Sequence, residues 1–483
     1  MLTPFLEKGV PCQYYYMFKT AAEVEEVSML QTLHVNGNVR NRYEDHVNPQ
    51  WVRLLNILEM NVTYERCEGA ELHTTDGRTI LDFNSGYCVH NIGHNHPRVI
   101  AALKHELDKC GPAMLQAHVP DLAGELAARL CALAGGRVNK AFFGSSGSEG
   151  VEAAIKFARA HTGRLGILGA SGAFHGLTCG ALSLMSNAFW KEGFGSMLPR
   201  TDFVPFGELG ELEKKLATKS YAAFIVEPIQ AEGGVLVPAK DYLSSVQSLC
   251  RRYGTLFVLD EVQTGFCRTG LFVAAHHYAV EPDIVILAKA ISGGLVPCSA
   301  VLMTDAIYKS VYSSFKRALV HTSTFSENGL AMRAGLATLD VLEEEKLGPR
   351  AAAAGESLRR SLRERLSKYE MVAEVSGLGL LNAIEFKAPR SLKLRVAFET
   401  LAMVHPAVFG QMLVMRLFRD HGVLNQVCGN NFMVLKVSPP LMVGDAQLDR
   451  FVTAIENIVD LTHTFGGFWT EATGLAQRAL KSI

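Results

Sequence analysis

Three short apolar runs, each halting at a polar residue, constrain this chain more than any other feature. Ala222–Val226 (AAFIV) ends at Glu227-Pro228, Leu256–Leu259 (LFVL) at Asp260-Glu261, and Ile284–Leu287 (IVIL) just before Lys289. Runs this short and apolar throughout predict strands buried on both faces, with helices covering each. Helical spacing in Leu122–Leu133, Glu149–Thr162 and Asp241–Tyr253 supplies those helices, and Asn139–Phe143, Gly166–Leu168 and Ser299–Met303 read as further strands. The alternation predicts an α/β fold around a mostly parallel sheet. Ligands of such sheets gather at the carboxyl ends of the strands. Glu227, Asp260 and Lys289 all fall at or just past such an end.

After Phe325 the pattern changes. Leu330–Glu345, Ala352–Tyr369, Phe409–His421 and Asp445–His463 read as helices, Leu380–Phe386 and Asn431–Val437 as strands. The expected division is a large domain over 76–328 and a smaller α+β domain over 329–483, against which the segment 1–75 packs.

Composition narrows the function by exclusion. Lys plus Arg total 47 against 48 for Asp plus Glu, so no global field favours nucleic acid or an anionic membrane. The ten cysteines are scattered and no pair has C-x-x-C spacing, which suits a reduced, cytoplasmic compartment. The first thirty residues lack a basic start and an apolar run, so no signal peptide is expected. No apolar stretch reaches the ~18 residues of a membrane span.

A few residues carry chemistry. Lys289, in ILAKAISGG, follows a buried strand, where desolvation leaves an amine nucleophilic. Asp260 closes FVLDEVQTG and presents a buried carboxylate. The loop Gly144-Ser145-Ser146-Gly147-Ser148 joins a strand to a helix, where N–H groups and hydroxyls hold phosphate. Phe174 and His175, in GAFHG, are candidates for an aromatic stacking face. An amine, a carboxylate, a phosphate cradle and a ring face together suit pyridoxal 5'-phosphate. Two other readings stay open: Asp260-Glu261 as a capping pair or metal ligands, and His94 and His96 in GHNHP as ligands or turn structure.

Seven stretches in order carry a resemblance: LDFNSGYCVHNIGHNHPRV, FFGSSGSEGVEAAIKFAR, GAFHG, IVEPIQAEGGV, LDEVQTGFCRTG, PDIVILAKAISGG and HTSTFSENGLA. They resemble the class III pyridoxal-phosphate aminotransferases of fold type I, and RYEDHVNPQ looks most like the putrescine branch. The resemblance implies a seven-stranded, mostly parallel sheet between helices. It implies that Lys289 forms the imine with the cofactor and then shuttles the proton. Asp260 would pair with the ring nitrogen and Gln263 with the ring hydroxyl. Ser146, Gly147 and Ser148 would bind phosphate, Phe174 would stack on the ring with His175 beside it, and Glu227 would orient the Asp260 region. Glu232 matches a gating glutamate, and Tyr87 and Cys88 would line the substrate entrance. Thr324 would reach the phosphate of a neighbouring subunit, implying a homodimer with shared sites.

The chain departs from the family in two places. The phosphate loop has Ser148 where many members have Thr, which keeps the hydroxyl. In VLKVSPPL, Lys436 stands where carboxylate-binding members have Arg, offering a point charge without the bidentate fork. Lys436 then either holds a substrate carboxylate or lies on the surface. The apolar SLKLRVAFETLAMVHPAVFGQMLVM (391–415) is either extra core helices or a wall of the substrate channel. The implied activity moves an amino group between an amine (putrescine-like ω-amine or amino acid) and a 2-oxo acid or aldehyde by ping-pong. Amination of an apolar aldehyde, or an aminomutase or lyase outcome, are the alternatives.

Overall fold

The computed structural model describes residues 39–480, Gln116 and Phe465 excepted. The expectation about the first thirty residues lies outside the described residues. Three antiparallel strands come first: β1 (Tyr64–Glu68), β2 (Glu71–Thr74) and β3 (Thr79–Asp82). The large sheet follows, made of β4 (Lys140–Gly144), β5 (Gly166–Ala170), β6 (Thr201–Val204), β7 (Tyr221–Val226), β8 (Leu256–Asp260), β9 (Ile284–Leu287) and β10 (Ser299–Met303). Its spatial order is β4-β10-β9-β8-β7-β5-β6. β10 runs antiparallel to both neighbours, and every other pairing from β9 to β6 is parallel.

The central strands are buried along their whole length because both sheet faces are covered. Along β9, Ile284 and Ile286 pack into one layer while Val285 and Leu287 pack into the other. The Gly147–Thr162 helix starts at Ser146, whose hydroxyl accepts the Glu149 N–H, and stops at Gly163 in the left-handed region.

The C-terminal part carries a second sheet of β11 (Val372–Leu378), β12 (Leu381–Phe386), β14 (Gln426–Cys428) and β15 (Asn431–Val437), ordered β11-β12-β15-β14 and antiparallel throughout. Between them β13 (Val423–Leu424) leaves to pair in parallel with β3, joining Leu81 to Val423. The 391–415 segment forms two helices, Leu392–Val404 and Val408–His421. They pack on each other and on the Gly467–Leu480 helix, and Leu392, Val396 and Met403 face solvent. That is the core-helix arrangement. Among the described residues no single helix is long and apolar enough to cross a membrane.

One side chain fastens the two sheets together. Arg268 is wholly buried and donates to the carbonyls of Leu380 and Pro439, and to Ser85 Oγ and Asn91 Oδ1. A buried guanidinium needs such a set of acceptors, because an unpaired donor there costs about 1–3 kcal/mol or more.

Candidate active site

The site forms where β7, β8 and β9 end. Asp260, the last residue of β8, accepts a hydrogen bond from His175 Nδ1 at 2.7 Å and another from the Val262 N–H at 3.1 Å. Burial pulls the His175 imidazole down, but the bond and charge of Asp260 outweigh it and hold its pKa above the ordinary value. Glu227, just past β7, accepts the N–H groups of Phe174 and Ala231. Burial, with Asp260 nearby, pushes the Glu227 carboxyl up to about 7, against the pull of His175.

Lys289 follows β9 with φ +50°, a conformation a lysine adopts only under strain. Its ammonium donates to Gln263 Oε1 at 2.8 Å, and Gln263 Nε2 reaches Glu232 Oε1 at 3.4 Å. Glu232 in turn accepts from Lys436 Nζ and, at 2.8 Å, from the Gly429 N–H. A continuous relay thus connects part-buried Lys289 to buried Lys436 through Gln263 and Glu232. Desolvation lowers the pKa of Lys289 below the ordinary lysine value, and the nearby positive charge of Lys436 adds to this. At Lys436 burial is outweighed by Glu232, so its pKa is raised; at Glu232 burial is outweighed by Lys436, so its pKa is lowered.

A cradle for phosphate lies at the other end. The Ser145 N–H is taken by Glu149, and the Ser146 hydroxyl caps the helix. The first-turn N–H groups of the helix beginning at Gly147 are the donors such a terminus leaves free. Ser148 Oγ accepts the Leu177 N–H, which leaves its own proton to donate. A Cβ on Gly147 would stand 3.0 Å from Val262, so the loop packs tightly against the turn that follows β8. Gly176, at φ +115°, has room for no side chain: a Cβ there would overlap Ser148 Oγ. The amine, the carboxylate and the free helix terminus are the donor set that pyridoxal phosphate requires, and they fit it.

Several sequence expectations need correction. His175 offers no stacking face: its side chain is fully buried and held edge-on to Asp260, so it acts through that carboxylate. Cys88 does not line an entrance. At φ +67° it turns inward and packs in a small core with Ile229, Ala231 and Val434. Tyr87 is exposed at the rim, its ring 5.5 Å from Lys436 Nζ. Lys436 is no surface lysine, since its side chain is wholly buried against Glu232. Glu261 turns away from Asp260 to accept the N–H groups of Ala274 and Ala275, capping a short helical turn. His94 bonds Asp82 at 2.7 Å and His96 bonds Glu345, and no cluster of metal-ligating side chains exists among the described residues.

Thr324 stands apart from this set, exposed beside a surface cavity of about 550 Å³. Phe174 is part-buried with Trp190 edge-on to its ring. Trp190, Asn430 and Arg268 escaped the sequence reading. An indole in a turn, an amide in a hairpin and an arginine after a Phe-Cys pair carry no local pattern that announces a role.

Comparison with known proteins places this geometry. The aminotransferase class-III family model matches residues 56–459. The putrescine aminotransferase of Pectobacterium atrosepticum is 35% identical, covering 88% of this chain and 89% of that protein. The aminotransferase PigE of Serratia is 34% identical over 88% of this chain, which spans only 54% of that longer protein. The ornithine aminotransferase structure from Toxoplasma gondii, described with partial occupancy of pyridoxal phosphate, aligns with a TM-score of 0.76 at 29% identity. That alignment covers 92% of this chain and 99% of that one.

Proposed function

This chain belongs to the class III aminotransferases, and we propose that it takes the terminal amino group of an ω-amine, with a putrescine-like diamine as first choice, and delivers it to a 2-oxo acid. Enzymes of this family act on small amines and carbonyl compounds with pyridoxal phosphate. The cofactor, when bound, supplies an electron-withdrawing ring that accepts the electron pair released as the substrate C–H bond breaks.

The chain's own residues do the rest. Lys289, its pKa lowered by desolvation, would supply the amine that holds the cofactor and then move a proton at the substrate carbon. Asp260, braced by His175 and the Val262 N–H, would pair with the ring nitrogen. Glu227 holds the Phe174 and Ala231 backbone, fixing the loop that carries the aromatic face. Gly147 and Ser148 hold the phosphate and Gln263 the ring hydroxyl. Glu232 neutralises Lys436 while the amine is bound; releasing it frees Lys436 to meet the carboxylate of a 2-oxo acid. The observation that carries this reading is the Lys289–Gln263–Glu232–Lys436 relay, which supports a reacting amine and a switchable positive charge acting at one site.

The reading includes a homodimer with Thr324 completing the partner's phosphate site. Exposed Leu115, Val119, Phe315, Leu319 and Phe325 around Thr324 support it, as an apolar face of this kind is characteristic of association. The reading also includes a cytoplasmic compartment, which the absence of C-x-x-C spacing among the ten cysteines supports. The test is a half-reaction screen by cofactor absorbance. Putrescine-like diamines should convert the cofactor to its amine form stoichiometrically, and a 2-oxo acid should restore it. Silence with every amine, or reduction by borohydride that labels a peptide lacking Lys289, would overturn the reading.

A further inference from the structure

The turn between β14 and β15 is tied to the site by one side chain. The Asn430 backbone N–H donates to the Glu232 carbonyl at 2.9 Å. Its amide nitrogen donates to the carbonyls of Gly172 (3.0 Å) and Ala173 (3.3 Å). Its amide oxygen accepts from Asn187 Nδ2 (3.1 Å) and Trp190 Nε1 (3.0 Å). The nitrogen meets two carbonyls and the oxygen two N–H groups, so only one orientation of the amide satisfies its partners. Asn430 therefore joins three chain segments: the Glu232 loop, the loop leading into Phe174, and the turn that bears Trp190.

Trp190 stands edge-on to Phe174, with ring centroids 5.6 Å apart at 82°. A Cβ at Gly429 would lie 3.5 Å from Trp190 Cζ2 and 3.3 Å from Glu232 Oε2, so indole and carboxylate flank the same backbone atom. The indole thus adjoins both the Phe174 ring and the backbone position that Glu232 flanks. Its N–H is consumed by Asn430, which leaves a flat apolar surface as what it offers a ligand. The ion pair beside it has no net charge.

We propose that Trp190 is a specificity-determining wall for the carbon chain of the amine donor, and that Asn430 is the positioning residue that holds it at a set distance from Glu232. The region past the reacting carbon then reads chain length and bulk. This rests on the ω-amine reading above.

The test compares kcat/KM for linear monoamines and diamines of increasing length in four full-length variants. Trp190→Ala should compress the ratio between the best and worst chain lengths by about tenfold, since a few methylenes against a wall carry that much discrimination. Asn430→Ala should do the same by freeing the indole. Asn430→Asp keeps the acceptor for Trp190 but loses the donor to the Gly172 and Ala173 carbonyls, so its ratio should fall between wild type and Asn430→Ala, and Trp190→Phe should fall between wild type and Trp190→Ala. A uniform loss across the series with the ratio intact overturns the proposal. A second readout needs no turnover. The emission difference between wild type and Trp190→Phe isolates this indole from Trp51 and Trp469, and added pyridoxal phosphate should quench it. Asn430→Ala should shift that emission to longer wavelength; an unshifted spectrum overturns the positioning role. A wild-type chain that converts no amine sinks the functional reading instead, and the emission experiment still decides the placement of Trp190.

Discussion

Lys289 is part-buried and Lys436 wholly buried, the same relay joins them, and their pKa values shift in opposite directions. The region past β9 gives Lys289 a neutral amide, Gln263, as its nearest partner, and desolvation lowers its pKa. The β15 region gives Lys436 a carboxylate, and its pKa rises. Burial alone does not decide what a buried amine becomes. The partner does: an amide leaves the amine free to react, and a carboxylate holds it as a paired charge.

Four experiments break or sharpen that contrast. Replacing Lys289 with Ala should lower kcat by more than about 10³-fold while leaving the cofactor bound non-covalently, checked by single-turnover kinetics and absorbance. Activity within tenfold of wild type would show that another amine does the work. Asp260→Asn removes the anion braced by His175 and should cost about 10²-fold or more in the half-reaction rate, with Phe174 and the loop undisturbed in a crystal structure. Glu232→Gln strands Lys436 as an uncompensated buried charge. It should lower unfolding stability by about 3–5 kcal/mol in a urea titration, and adding Lys436→Met should recover most of the loss. No recovery in the double variant would mean the ion pair is not what the single change broke.

The mildest test is pH. The free amine of Lys289 is the reactive form, so the half-reaction rate should rise with pH through a midpoint below 10.5. In stability the two lysines should again oppose. A lowered folded pKa means the unfolded chain binds more protons between that value and 10.5, so the Lys289 contribution improves as pH rises. The raised pKa of Lys436 means its contribution is full below 10.5 and is lost as pH climbs through the raised value. Alkaline melts of Lys289→Met and Lys436→Met should therefore bend in opposite senses relative to wild type.

The same contrast explains what could be read from the chain. Asp260 and Lys289 were legible because an apolar run that stops at a charge is a local signal, and β9, β10 and β15 begin and end where the spacing put them. The edge strand β6 was not, as TDFV is half-exposed and alternates weakly. Glu232 and Lys436 lie 204 residues apart, so no spacing rule could show that they neutralise each other. Cys88 and His175 sit in motifs the sequence singles out, yet their side-chain direction depends on a positive φ in one case and on a hydrogen bond to β8 in the other. Asn430 works through partners on three separate segments, a geometry that only the assembled chain contains.

The buried guanidinium of Arg268 also sets a timetable. Its carbonyl partners at Leu380 and Pro439 emerge from the ribosome 112 and 171 residues after it. Until then the nascent chain carries a cation that has only Ser85 and Asn91 of its four partners already made. The pocket is therefore sealed late in synthesis, and a chain stopped short of Pro439 would expose this seam to proteases and chaperones.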